Sequence, residues 1–270
     1  MKIKQKDFVR VGCQKVQAHM SLLHPEFGRM TIQSDSLGLP VRHVITHGGK
    51  RTVGSFPCVK MGRTMPWESF SERALIHRLA FDFHCAGYLV QPHTLMWETD
   101  NGRMSYTPDA IAEQYGGITV YEAKKVHPNV YGDIAAVKRY NLISSMYALF
   151  GWKFQIVTER QLTANAVRLL NQRDLSRARF TAFGLAEEIV VHSCLQESGG
   201  VSPLCILITC LHDAIGISDK LARETVLAMA ARRIIGLDLE KPITPFALVH
   251  QIMPKAPSMT ILNFWENTND

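Results

Sequence analysis

Hydrophobic and polar positions in the first part of the chain change between helical and strand spacing. Apolar residues recur every three or four positions over residues 68–83, which predicts a helix with one buried face. Residues 88–98 are rich in β-branched, aromatic and long apolar side chains, and they predict a strand that is broken at Gln91-Pro92. Residues 153–158 predict a further strand.

Between these two strands the pattern predicts a β-hairpin and a second helix. Residues 104–113 and 118–124 are strand-like runs on either side of Gly116-Gly117, a dipeptide that suits a tight turn. Residues 133–150 predict a helix that ends before Gly151. A helical crossover should place the strand that follows it parallel to an earlier strand. The predicted order is α-β-β-β-α-β, a mixed α/β (α+β) fold built on a mixed sheet.

After residue 158 the pattern becomes mainly helical. Helices are predicted over 162–175, 182–196, 203–214 and 218–233, and a closing hairpin over 234–249. Three helices and a closing hairpin are the outline of a winged helix, so a winged-helix-like domain is expected. Its last helix begins at an N-cap candidate, Ser218. That helix is only mildly basic, so a DNA-reading role and a protein-docking role both fit.

One face of the predicted hairpin ends in charged residues. If Gly116-Gly117 is a two-residue loop, Asp109 faces Lys124, and a register shifted by one pair sets Asp109 opposite Glu122 instead. Both registers keep the three charged side chains on one face, whereas a three-residue loop would separate them. Pro108 has no N–H to donate, so we expect it at a bulge or a sheet edge.

These residue types suit metal-dependent hydrolysis of a phosphodiester. Carboxylate oxygens are the ligands that Mg²⁺ takes, and a lysine two positions after Glu122 points from the same face of its strand. Such a lysine can orient, or help to deprotonate, a metal-bound water that faces a phosphate. The alternative is an ordinary polar hairpin with a cross-strand Asp109–Lys124 pair on its solvent face, because the separate patterns are short and common.

A third carboxylate, Glu72, begins the buried stripe of the first helix. It can serve the same metal site, because the stripe packs towards the hairpin. It also completes a capping box with Ser69, in which Ser69 is the N-cap and Glu72 the third helical residue. The sequence leaves both roles open.

Composition limits the class of protein. The chain has 270 residues, of which 46% are hydrophobic, enough for more than one domain. We expect a basic leader over 1–50, a catalytic domain over 51–160 and an interaction domain over 161–270.

Neither a membrane-spanning run nor a signal peptide is evident, which predicts a cytoplasmic protein. Six cysteines without C-x-x-C spacing predict reduced thiols, with Cys205, Cys210 and His212 as core residues of an apolar run.

The formal net charge of +6 is unevenly distributed. Residues 1–60 contain ten Lys or Arg against three acidic residues. Such a leader suggests an arm that follows the DNA backbone, and a solubilising tail is the alternative. Lys60 and Arg63, just before the first helix, and Lys125, just after the hairpin, are the predicted DNA contacts.

Taken together, these residues resemble the TnsA family, the endonuclease subunits of heteromeric cut-and-paste transposases. The α-β-β-β-α-β order is that of the restriction-endonuclease-like core. The similarity covers residues 50–180 well and the C-terminal helical region only in outline. The matching residues are 53–63, Trp67-Glu68-Ser69-Phe70-Ser71-Glu72, Gln91-Pro92, Tyr106-Thr107-Pro108-Asp109 and Tyr121-Glu122-Ala123-Lys124.

The resemblance implies an endonuclease that hydrolyses one DNA strand at each transposon end. It implies two Mg²⁺ ions, replaceable by Mn²⁺, with Lys124 positioning the attacking water. The implied ligands are Glu72, Asp109, Glu122 and the backbone carbonyl of Ala123.

The resemblance also implies partners and a location. The partners are double-stranded DNA at the transposon ends, a DDE-type (TnsB-like) transposase subunit that cuts and joins the other strand, and an AAA+ (TnsC-like) regulator that docks on the C-terminal part. The location is the bacterial cytoplasm, at the nucleoid when active. Two alternatives remain: a stand-alone restriction or repair endonuclease of the same fold, and a non-catalytic DNA clamp, which would not need Mg²⁺ ligands.

Overall fold

The computed structural model describes residues 17–42, 52–99, 102–253, 255–261 and 263–264. The elements up to the predicted hairpin are β1 (Gln17–His24), β2 (Gly28–Asp35), β3 (Gly54–Cys58), β4 (Arg63–Trp67), α1 (Phe70–Phe81), β5 (Cys85–Val90), β6 (His93–Thr99), β7 (Gly102–Tyr106), β8 (Ala110–Gln114) and β9 (Gly117–Lys124). Those that follow are a 3-10 turn (Pro128–Tyr131), α2 (Ile134–Leu149), β10 (Lys153–Thr158), α3 (Glu159–Thr163), α4 (Ala166–Ala178), α5 (Leu185–Glu197), β11 (Val201–Pro203), α6 (Leu204–Ile215), α7 (Asp219–Ala231), β12 (Ile235–Leu237) and β13 (Leu248–Gln251).

A mixed four-stranded sheet in the order β10-β9-β8-β5 is the central sheet of the molecule. Strand β8 is antiparallel to both β5 and β9, and β10 is parallel to β9. The chain order α1, β5, β8, β9, α2, β10 is the predicted α-β-β-β-α-β order, with β6 and β7 inserted before β8. The mixed α/β class and the parallel crossover through α2 are therefore confirmed.

The chain leaves the central sheet at Gln91-Pro92 and re-enters it after Pro108. The strands between these points, β6 and β7, belong to a second, antiparallel sheet in the order β1-β2-β6-β7. The Gln91 N–H donates to the Asp109 carbonyl at 2.9 Å, so the exit and the re-entry lie side by side. Proline cannot donate to a ladder, which explains both breaks. The predicted break at Gln91-Pro92 is confirmed, whereas the single strand predicted over 104–113 is wrong.

The second sheet includes part of the predicted leader. Strands β1 and β2 form a hairpin, and β2 pairs with β6 so that Ile32 lies opposite Leu95. Both of these side chains are fully buried, as is Met30. The hydrophobic pattern of this stretch predicts no element. The first ten residues of the leader lie outside the described residues.

The β8–β9 hairpin closes one residue earlier than predicted. Gln114 lies opposite Gly117, so the two-residue loop is Tyr115-Gly116. Gly117 has a φ of 102°, a conformation that glycine adopts readily. The ladder ends with Ala110 opposite Tyr121, and its continuation sets Asp109 opposite Glu122. This is the second of the two predicted registers, and it keeps the charged residues on one face.

The C-terminal part begins with two helices where one was predicted. Thr158 and Gln161 form a capping box at α3, and the Asn165 side chain caps α4, so the helix predicted over 162–175 is not continuous. The chain then runs α5, β11, α6, α7, β12, β13, with a sheet in the order β11-β13-β12. Ser218 caps α7 and β12 pairs with β13, as predicted. This is the winged-helix outline, with the additional strand β11.

These C-terminal elements pack directly against the central sheet and α1. Arg233 donates from Nε to the Phe83 carbonyl at 3.0 Å, and the Phe83 ring stacks on His250. Glu113 of β8 is buried, pairs with Lys255 and accepts a hydrogen bond from Ser258 at 2.7 Å. The buried apolar core therefore runs continuously across residue 160.

Two other expectations concern the apolar run in α6 and the membrane. Cys205 and Cys210 are half-buried thiols, whereas His212 is exposed, so its prediction as a core residue is wrong.

Among the helices that the structure describes, none is both long and apolar enough to cross a bilayer.

Candidate active site

Asp109 lies where the chain re-enters the central sheet. Its Oδ2 accepts a hydrogen bond from the Ala123 N–H at 2.7 Å. Ala123, whose carbonyl is an implied metal ligand, is therefore held beside this carboxylate. Burial, followed by the charges of Glu122 and Glu72, raises the pKa of Asp109 to about 8. Glu122 and Glu72 are thus both close enough to Asp109 to add to the effect of burial and to disfavour its charged form.

Glu122 is buried, with 5% of its surface exposed, and three donors surround its carboxylate. The Tyr106 hydroxyl donates to Oε2, and the Tyr140 hydroxyl donates to Oε1 at 3.1 Å. The Lys124 ammonium forms an ion pair with the same Oε1. A buried carboxylate is tolerated when it is paired and hydrogen-bonded, and these contacts meet both conditions.

Lys124 follows Glu122 by two positions on β9, so both side chains leave the same face. Burial lowers the pKa of Lys124, but the charge of Glu122 outweighs burial, and the pKa is raised to about 12. The ammonium therefore keeps its charge at neutral pH. It can donate a hydrogen bond to water or to a phosphate oxygen, which suits orienting a nucleophile better than abstracting its proton.

Glu72 both caps α1 and belongs to this charged cluster. Its Oε1 accepts from the Ser69 hydroxyl at 3.0 Å, its Oε2 accepts from the Glu68 N–H at 2.9 Å, and its own N–H donates to Ser69 Oγ at 3.1 Å. The predicted capping role is confirmed, although the main-chain partner is Glu68 and not Ser69. Burial raises the pKa of Glu72, and its charge in turn raises that of Asp109. The two roles left open by the sequence are therefore compatible.

The donor set fits a hard divalent cation. The carboxylates supply only oxygen atoms, which is the ligand type that Mg²⁺ takes, and a cation would favour the charged form of Asp109, whose pKa is raised by burial and by the charges of Glu122 and Glu72. Among the described residues, no group of three or more His, Cys, Asp or Glu is gathered closely enough to hold a metal. Glu72 is instead engaged by Ser69 and Glu68. Asp109 and Glu122, opposite each other, are the best-placed ligands, and Glu72 is the third candidate.

Lys60, a predicted DNA contact, is placed inside the protein. Its ammonium donates to the carbonyls of Leu79, Asp82 and Cys85 at 2.5, 3.2 and 2.9 Å, where α1 ends and β5 begins. Only 9% of the residue is exposed. A lysine ammonium has three donors, and all three are used by these carbonyls. The structure therefore does not bring Lys60 to a surface that a phosphate could reach.

Arg63 also makes internal contacts, whereas Lys125 is exposed. The Arg63 guanidinium donates to the carbonyls of Leu37 and Gly38 at 3.2 and 2.9 Å, tying β4 to the segment after β2. Lys125 is the residue directly after β9 and therefore lies beside Lys124 in the chain. Of the three predicted DNA contacts, Lys125 is the one with an exposed side chain.

Two residues of the site, Tyr106 and Tyr140, were not predicted to take part in it. Tyr106 precedes Asp109 by three positions, and its contact with Glu122 links β7 of the second sheet to β9. Tyr140 and Tyr147 are seven residues apart on α2 and lie on one helical face. The spacing of seven residues predicts that the two rings share a helix face. The residues around Tyr140 do not indicate that its hydroxyl bonds a carboxylate.

The chain matches no protein-family model, and no curated protein matches it. The family resemblance therefore rests on the ordered motifs quoted above.

Proposed function

We propose that the chain is a Mg²⁺-dependent endonuclease that hydrolyses phosphodiester bonds of DNA. One observation carries the proposal: Asp109 lies opposite Glu122 in the register of the β8–β9 hairpin, with Lys124 on the same face and Glu72 close enough to raise the pKa of Asp109. Crowding carboxylates inside a protein opposes folding, and strongly perturbed carboxylates are typical of functional sites.

In this proposal the carboxylates bind the metal and Lys124 orients the water. Asp109 and Glu122 would hold the ion, with Glu72 completing the set. The bound metal would polarise the phosphate and lower the pKa of a coordinated water. The Lys124 side chain is 37% exposed, so a substrate can reach it from solvent while its ammonium is paired with Glu122. Its charge would orient the water and stabilise negative charge that develops on the phosphate.

The biological role that we propose is cleavage of one strand at each transposon end. The ordered motifs support this role, as do the α-β-β-β-α-β order, which is the order expected of a restriction-endonuclease-like core, and the winged-helix outline of the C-terminal part. Exposed apolar side chains in that part suit protein docking better than DNA reading; Leu185, Ile189 and Phe246 are 72%, 55% and 78% exposed. The proposed partners are the AAA+ regulator, docked on the C-terminal part, and a DDE-type transposase that processes the other strand.

Nicking of DNA that carries a transposon end tests the proposal. Relaxation of a supercoiled plasmid is measured with Mg²⁺, Mn²⁺ or Ca²⁺, with the chain alone and with both partners. We expect weak cutting alone, end-specific nicking with the partners, and Ca²⁺ binding without turnover. Asp109→Asn keeps an acceptor for the Ala123 N–H but removes the charge, so nicking should be abolished. Asp133→Asn is the matched control, because Asp133 caps α2 through a side-chain oxygen that asparagine also has.

The outcomes separate the alternatives. Full nicking activity of the Asp109→Asn protein would end the assignment of this site. Robust sequence-specific cleavage by the isolated chain would favour a stand-alone restriction nuclease. DNA binding that persists in an assembly without any metal-dependent nicking would favour the clamp.

A further inference from the structure

Two tyrosines from separate elements hold the Glu122 carboxylate. Tyr106 is the last residue of β7, which belongs to the second sheet, and Tyr140 lies in the first half of α2. Each hydroxyl donates to a different oxygen of Glu122. The terminal torsion of a glutamate is otherwise broad, so hydrogen bonds to both oxygens fix the plane of the carboxylate.

The two phenol rings are themselves held by packing. Their centroids are 6.5 Å apart in an edge-to-face arrangement, and Phe154 of β10 stacks on Tyr140 at 6.0 Å and meets the edge of Tyr106 at 6.1 Å. Tyr106 is buried and Tyr140 is half-buried. Aromatic pairs in such geometries add stability beyond the area that they bury. The donors are therefore positioned by rigid elements before any ligand arrives.

We propose that Tyr106 and Tyr140 are positioning residues that hold Glu122 in the orientation in which it receives a divalent cation. The inference rests on the proposed function. Neither hydroxyl needs to touch DNA or the reacting atoms, since both act through Glu122. Hydrogen bonds from such outer residues to a ligand carboxylate typically change metal affinity by about 10- to 100-fold.

The competing explanation is purely structural. The hydroxyls would then only offset the burial of Glu122, and removing them would lower stability without changing the affinity of the folded protein for metal. Metal affinity and stability must therefore be measured separately on the same variants. Tyr→Phe substitutions suit this purpose because they remove one hydroxyl and keep the ring packing.

The test is a Mn²⁺ titration of the full chain in which free Mn²⁺ is followed by electron paramagnetic resonance. For Tyr106→Phe and for Tyr140→Phe we expect the Kd for Mn²⁺ to rise about 10- to 100-fold. The matched control is Tyr147→Phe, because the Tyr147 hydroxyl belongs to the same aromatic cluster but bonds His93 Nε2 at 2.7 Å. The Kd of this control should stay at the wild-type value. Melting curves in EDTA report the stability of every variant.

Glu122→Gln makes the outcomes distinguishable. In that background the two Tyr→Phe changes should have no further effect on the Kd, because the group that they position is gone. Wild-type Kd values for both tyrosine variants, or an equal rise for Tyr147→Phe, would overturn the positioning role and leave the proposed function standing. If Glu122→Gln itself leaves Mn²⁺ binding unchanged, the metal does not bind at this site, and the proposed function fails together with the inference.

Discussion

Replacing Glu72 by Gln separates the two roles that this side chain has. The carboxylate accepts one hydrogen bond from the Glu68 N–H and another from the Ser69 hydroxyl. A glutamine can reproduce both hydrogen bonds, because its amide oxygen accepts from Glu68 and its NH₂ group donates to Ser69 Oγ. The helix cap is then kept, while the charge that acts on Asp109 is removed.

The expected magnitudes follow from these hydrogen bonds. A hydrogen bond contributes about 1 kcal/mol, so the free energy of unfolding of Glu72→Gln should change by no more than about 1 kcal/mol. Glu72→Ala removes both hydrogen bonds and should cost about 1–2 kcal/mol. If Glu72 is a metal ligand, either change should slow nicking by about 100-fold or more, equivalent to about 2.7 kcal/mol of transition-state stabilisation.

Nicking rates at saturating Mg²⁺ and unfolding in urea, measured on the same preparations, decide between the roles. Glu68→Gln is the matched control, because Glu68 is the neighbouring carboxylate and pairs outwards with Arg42 at 3.0 Å. That variant should nick at a rate close to wild type. A Glu72→Gln protein with wild-type nicking would leave Glu72 as a capping residue only and refute its place in the metal site.

Three further predictions concern other parts of the chain. Lys60→Met should lower the free energy of unfolding in urea by about 1–3 kcal/mol, because three carbonyls lose the hydrogen bond that the ammonium donates, and should leave DNA affinity unchanged. Burial lowers the pKa of His93 to about 3, so the free energy of unfolding should decrease as the pH falls from about 6.5 towards that value. Between pH 7 and pH 5 the wild type should lose about 2 kcal/mol of unfolding free energy relative to His93→Gln. Deleting the first ten residues should reduce the slope of log K for DNA against log[salt] by about 0.9 for each phosphate that those residues neutralise, and an unchanged slope would indicate a solubilising tail.

Local patterns in the sequence predicted most of the central sheet and its helices. The helix caps at Ser69 and Ser218, the strand break at Gln91-Pro92 and the face shared by the charged residues all depend on neighbours within a few positions. The loop of the hairpin was misplaced by one residue because Tyr115-Gly116 and Gly116-Gly117 both suit a two-residue turn. The face was nevertheless predicted correctly, since the change of loop moves each partner by two positions.

The features that sequence analysis missed depend on contacts between distant segments. The β1–β2 hairpin becomes part of the second sheet because β2 pairs with β6, about sixty positions further along the chain. Lys60 becomes buried because the end of α1 supplies carbonyl acceptors, and no pattern around residue 60 indicates them. The tyrosine donors of Glu122 likewise come from β7 and α2, so local patterns indicate the carboxylates but not the hydrogen bonds that hold them.

The arrangement of charges also argues against the interpretation as an ordinary polar hairpin. That interpretation needs a cross-strand pair between Asp109 and Lys124 on a solvent face. Lys124 instead pairs with Glu122 of its own strand, and Glu122 is withdrawn from solvent. The fold thus gives Glu122 three donors, while Asp109 keeps a raised pKa beside two other carboxylates. Such an imbalance opposes folding, and it is what we expect of the Mg²⁺-dependent hydrolase that we propose, in which a bound cation would balance the negative charge.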